Sequence, residues 1–233
     1  MSEPQRIRYR FDLPDGSQTT LDFAFDSKDF RLSNAAPADP PFWTELKFNQ
    51  CANCPLSELE HPHCPAALQM ASTLEPLKAL VSFDTVGVTV VQAERTVYAN
   101  TSAQQAMSSV LGLIMATSGC PWTDHLRPMA RFHLPFASET ETVYRSICMY
   151  LLAREITGAD EPRGFAALEE LYKSLHVVNR DMSRRLGAAT RTDPARNALA
   201  LLDSYTTLLP AALERSLDEL RPLFDAWQAK EPA

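Results

Sequence analysis

The spacing of apolar positions changes period part-way along the chain. In residues 7–25 it is two: Ile7, Tyr9, Phe11 and Leu13 share one face, and Leu21, Phe23 and Phe25 resume it after Pro14-Asp15-Gly16-Ser17. Alternation broken by an Asp-Gly turn predicts a β-hairpin with one buried face. Val86, Val88 and Val90 alternate again, and Thr96 and Tyr98 continue beyond a turn near Ala93-Glu94-Arg95, which predicts a second strand pair. Between them, residues 26–48 carry Pro37, Pro40 and Pro41 with no sustained period and read as a long surface loop. Phe42, Trp43 and Phe48 pin the end of that loop to the body. From Pro65 to Val81 the pattern is helical.

Beyond residue 100 the period becomes that of a helix. Thr101-Ser102-Ala103-Gln104 has the form of a capping box with Thr101 as cap, and the helix it opens is apolar almost all round, through Met107, Val110, Leu111, Leu113, Ile114 and Met115. Such a helix belongs at the centre of a fold. Gly119 is its stop signal. Ser138-Glu139-Thr140-Glu141 is a second capping box, opening a helix to about Thr157 in which Cys148 reads as core. Leu168, Leu171, Tyr172, Leu175, Val178, Met182 and Leu186 form a long stripe. Asp193-Pro194 starts a further helix through Leu201, Leu202, Tyr205, Leu208 and Leu209, and Leu213, Leu217, Leu220, Phe224 and Trp227 close the chain, bent or restarted at Pro222. Strands early and helices late predict an α+β fold, a small antiparallel sheet of hairpins with a helical bundle after it. We read residues 1–233 as one such domain: 1–100 mainly hairpins with a cysteine-rich segment at 48–65, and 101–233 mainly helical.

Composition narrows what this fold does. The net charge is −7, a field that repels nucleic acid. The one Arg-rich run, Arg180, Arg184, Arg185, Arg191 and Arg196, lacks interleaved aromatic residues and reads as a solvated helix face. No apolar run approaches the roughly 20 residues of a membrane span, and the first residues lack the apolar core of a signal peptide. The expectation is a soluble, cytoplasmic protein binding neither nucleic acid nor membrane.

The chemistry gathers in one segment. Cys51-Ala52-Asn53-Cys54-Pro55 precedes His61-Pro62-His63-Cys64-Pro65. A Cys-x-x-Cys turn brings two sulfurs to one centre, and Cys64 returns as a third ligand. The fourth is His61, His63 or Cys120, which stands in Gly119-Cys120-Pro121 just past the apolar helix. Zinc takes four Cys and His ligands in a tetrahedron. Cys54, Cys64 and Cys120 are each followed by proline, which favours the first position of a helix, so each thiol is expected near an N-cap where its thiolate is stabilised. Cys-Pro pairs also occur in ferredoxin cluster motifs, which keeps an iron–sulfur centre open. A redox-active Cys-x-x-Cys, or plain packing of the thiols, remains the alternative to a metal. Arg127, Arg131 and His133 form a candidate site for a small anion, because guanidinium groups present fork-shaped donors. No nucleophile elbow, phosphate loop, dinucleotide fingerprint or HExxH motif occurs.

At these residues the chain resembles an uncharacterised bacterial domain family of unknown function. The likeness lies in Phe48-Asn49-Gln50-Cys51 to Cys54-Pro55, in His63-Cys64-Pro65, in Leu113 to Pro121 and in Arg127 to Pro135, and covers about residues 46–155. It implies no activity, cofactor or ligand set. Three functional readings stand: a zinc-stabilised protein that binds a protein partner or regulates, an iron–sulfur redox or sensor protein, and a metal-dependent enzyme acting on a small anionic ligand.

Overall fold

The two hairpins join into one sheet. In the computed structural model, which describes residues 5–158, 164–189, 195–198, 200, 202–203 and 217–227, β1 (Gln5–Asp12) pairs with β2 (Gln18–Phe25). β3 (Thr85–Val91) pairs with β4 (Thr96–Ser102), and β1 with β3. Every pairing is antiparallel and the order is β2-β1-β3-β4. The register sets Ile7 opposite Phe23 and Tyr9 opposite Leu21 and Val90, so the alternating apolar set of three strands buries on one face. The opposite face is polar, with Arg8 and Asp22 directly paired across β1 and β2 at 2.7 Å. In the first turn Gly16 takes a φ of 83°, a conformation open to glycine, while Asp15 accepts from the Ser17 amide.

The buried face of the sheet is covered by α2 (Ala103–Thr117), whose residues Val110, Leu111, Leu113 and Ile114 are all inaccessible. Its N-cap is Ser102, whose hydroxyl accepts from the Gln105 amide, one residue later than the expected Thr101. The shift follows from the sheet: the β3–β4 ladder runs on to Ser102, which pairs with Thr85, so the first residue free to turn into the helix is Ala103. Gly119, at φ 88°, ends the helix as expected.

The long loop does real pairing on its way across. Phe30 adopts a φ of 58° and stacks on Phe25 at 4.3 Å, and the Ser33 and Asn34 side chains hydrogen-bond the outer edge of β2 at Ala24 and Asp22. Those contacts occupy an edge that would otherwise offer free backbone groups. The expected helix from Pro65 to Val81 is shorter: α1 (Pro65–Leu74) stops where Glu75-Pro76 tightens into a 3₁₀ turn.

Further helices among the described residues include α3 (Arg127–Arg131), α4 (Glu139–Thr157) and α5 (Ala166–Ala189). The capping box at Ser138 and Glu141 forms in full. Along α5, Leu168, Tyr172, Leu175, Val178, Met182 and Leu186 are buried as their spacing predicts. Two expectations fail. Cys148 is exposed, because α4 turns only Val143, Ser146 and Ile147 inward and leaves Leu151 outside with it. Arg185 is 1% exposed, so the Arg-rich run is not a solvated face throughout. Arg191 and most of the stripe from Leu201 to Leu213 lie outside the described residues. In the closing stripe Leu217 and Phe224 are exposed.

If Ser102 rather than Thr101 caps α2, Ser102→Ala should lower unfolding free energy by about 1 kcal/mol. Thr101→Val, which keeps a β-branched residue in the strand, should change it by less than about 0.5 kcal/mol in the same denaturant titration.

Candidate functional site

The cysteine segment is shaped by its contacts with α5. After a 3₁₀ turn at Phe42–Thr44 the chain makes a short bridge, Glu45 with His63, and the Cys64 amide donates to the Thr44 carbonyl. Within it the Cys54 amide donates to the Cys51 carbonyl at 3.0 Å, closing the Cys-x-x-Cys turn. Ala52 donates its amide to the Asp181 carboxylate at 2.9 Å, and the Asn53 side chain donates to the Ser174 carbonyl at 3.0 Å. From the other side Trp122 Nε1 donates to the Asn53 carbonyl at 2.7 Å. Arg185 donates to the carbonyls of Trp43, Glu45 and Leu46 at 2.8, 2.6 and 2.9 Å. Ser174, Asp181 and Arg185 recur at helical spacing, so one face of α5 holds both ends of the segment.

This places Cys51, Cys54, Cys64 and Cys120 in one neighbourhood against the main core. Burial pushes the Cys51 thiol up to about 12, and negative charge at Cys64, Cys120, Asp181 and Cys54 adds to the rise. Cys64 caps α1 with Pro65 in the first turn, as its sequence predicts. Burial also raises its thiol, and hydrogen bonds from the Ala67 and Ala66 amides and the Arg185 charge only partly offset that. The expected lowering at a helix N-terminus is therefore outweighed by desolvation. Cys54 is followed by no helix, and two residues separate Cys120 from the 3₁₀ turn at Thr123–Leu126, so the proline rule holds for Cys64 alone.

Cys51 and Cys64 thus keep their protons near neutral pH. Among the described residues no three His, Cys, Asp or Glu side chains are set as a bound ion requires. Four thiolates on zinc stand about 3.8 Å apart, from tetrahedral bonds of about 2.3 Å. The chain gathers the thiols without closing a coordination sphere. Of the two histidines, His61 is exposed, and His63 is bonded through Nδ1 to the Thr44 hydroxyl at 2.8 Å.

Arg127, Arg131 and His133 part company. Arg127 and Arg131 line a surface groove with Lys28, Asp29 and Asp124, and each already has a carboxylate: Asp29 at 3.5 Å for Arg127 and Glu94 at 3.7 Å for Arg131. His133 points the other way, into the core, where Nε2 meets the Tyr9 hydroxyl at 2.5 Å. Burial, with the Arg145 charge, depresses its pKa to about 3. It is a neutral imidazole at physiological pH. Sequence reasoning missed Asp181 and Arg185, whose only signal was their four-residue spacing in a run of charge. Burial alone would raise the Asp181 carboxyl, but bonds from Arg180 and Ala52 and the charges of Arg180 and Arg184 hold it low.

The chain matches the family described as a domain of unknown function, DUF6901, over residues 7–225. It belongs to that family. No curated protein and no solved structure matches it. The DUF6901 match runs from the first strand to the closing turn, so it takes in the sheet, the cysteine segment and the helices that hold it. None of the helices among the described residues of this DUF6901 chain is long and apolar enough to cross a membrane.

Two outcomes follow. Arg185→Met leaves three inward carbonyls without their donor and should cost about 3 kcal/mol of unfolding free energy. His133 is held neutral when folded, so between pH about 6.5 and 3 the unfolded chain takes up a proton that the folded one refuses. Stability from this group is present above pH 6.5 and falls as pH drops, by at most about 1.4 kcal/mol per pH unit. The His133→Gln variant should lose stability less steeply than wild type across that window, in paired unfolding curves.

Proposed function

We propose that this chain is a metal-stabilised binding or regulatory protein whose centre is held by Cys51, Cys54, Cys64 and Cys120. The observation that carries the reading is the effect of Cys54, Cys64 and Cys120 on the buried Cys51: Cys54 stands three residues away, and the other two come from parts of the chain distant in sequence. Thiols gathered in this way resist ionisation, and a cation that binds them releases that cost. Zinc is the first choice, because four thiolates satisfy its tetrahedron and leave no open position for a substrate, which suits a structural site. The centre would join three parts of the chain: the cysteine loop, the start of α1 and the end of α2.

An iron–sulfur centre is the second reading, favoured by the same all-sulfur set. His61 is exposed and His63 Nδ1 is engaged by the Thr44 hydroxyl, which favours Cys120 as the fourth ligand. The enzyme reading draws no support from the anion residues, since Arg127 and Arg131 are engaged with carboxylates and His133 is shut in the core.

Metal analysis of protein purified without oxygen should find about one zinc per chain, colourless, and the Cys51→Ser and Cys54→Ser variants should lose the metal and unfold more readily. Cys148→Ser, at an exposed thiol outside the cluster, should retain both metal and stability. Brown protein with absorbance at roughly 400 nm that bleaches on reduction would select the iron–sulfur reading. Wild-type protein that is fully stable and free of any metal would end the proposal.

A further inference from the structure

Away from the cysteines, a cavity of about 170 Å³ opens between α2, α3, α4 and α5. Its walls are chiefly apolar, among them Leu113, Leu126, Leu134, Phe136 and Leu175. A cavity of this size matches those that hold a benzene ring, and space so large and apolar is poorly suited to a cluster of waters.

The polar groups on its wall are unusual. Asn179, 5% exposed, has no hydrogen-bond partner for its amide among the described residues, and nor has the hydroxyl of Ser108, 4% exposed. Buried polar side chains are paired in the large majority of cases, so two unpartnered ones on one cavity call for an occupant that bonds them. His133 lines the same space, and its Nε2 is taken by Tyr9.

Arg145 supplies the sign of the charge. One of its terminal nitrogens donates to the Met129 and Phe132 carbonyls at 2.7 and 2.9 Å, yet no carboxylate lies within ion-pair distance among the described residues. It is half-buried and lines the cavity, and Glu141, one turn earlier on α4, acts on it through space without forming an ion pair. Burial lowers its pKa, and a bound carboxylate would restore what that desolvation costs.

We infer that this cavity binds a small monocarboxylic acid with an apolar body, aromatic or branched aliphatic, its carboxylate bonded by Arg145 and its body among Leu113, Leu126, Phe136 and Leu175. Asn179 and Ser108 hydrogen-bond the polar atoms of the ligand that enter deepest. The site is independent of the metal centre and uses none of the same side chains.

Benzoate, benzamide and toluene, titrated separately into the full-length wild-type chain by protein-observed NMR, distinguish the charge from the shape. Benzoate should bind saturably with a Kd on the order of 0.1–1 mM, and benzamide and toluene at least about tenfold more weakly. Arg145→Met should remove the preference for benzoate, while Arg145→Lys, which keeps the charge, should retain part of it. Ala137→Leu, on the cavity wall, should block all three probes, with an unchanged far-UV spectrum showing that the variant is folded. Equal affinity for benzoate and toluene would overturn the carboxylate assignment. No saturable shift with any probe up to about 10 mM would mean that the cavity holds only water, and would overturn the site.

Discussion

The guanidinium of Arg185 is the contact on which the arrangement of this molecule turns. Removed from water on α5, it satisfies three carbonyls of the segment that leads into the cysteines. Those carbonyls lie in a 3₁₀ turn and beside a single bridge, too little regular structure to satisfy every buried backbone group from within. A charged donor with a planar fork can meet several at once, and lysine, with its compact head, cannot match that geometry. Asp181, one turn before it, adds the opposite end of the clamp by accepting from Ala52. Together they fix the loop to the helical half and bring Cys51 and Cys54 to where Cys64 and Cys120 already stand.

The sheet makes the opposite use of sequence. Its buried face is written in alternation, and the register of β1 against β2 and β3 follows from that pattern and from the tight turn at Gly16. This is why both hairpins, the α2 stop at Gly119 and the capping box at Ser138 were legible in the residues. That the hairpins form one small sheet was expected as well, but not that β1 and β3 are the strands that join them, because that pairing depends on contacts far apart in sequence and on no local signal.

What was hidden at the candidate site had the same cause. Arg185 looks like its neighbours Arg180 and Arg184 in sequence, and only the tertiary partner distinguishes a buried charge from a solvated one. Cys148 carried the reverse error: an apolar spacing was present, but α4 has little core to turn towards on that side. The four cysteines were nominated by spacing alone, and the fold adds that Cys64 and Cys120, distant from Cys51 in sequence, both act on it. His133 and the arginines were adjacent in sequence and are divided in space, one facing the core and two facing a groove. Arg145, which carried no motif, lines the cavity with no carboxylate within ion-pair distance among the described residues.

The account rests on four sulfurs acting as one centre, with no imidazole among them. X-ray absorption at the metal edge of the purified wild-type chain reads that directly. The account predicts a single sulfur shell of four scatterers at about 2.3 Å and none of the outer-shell features of imidazole. A spectrum with a histidine contribution, or protein with no metal edge at all, would contradict it.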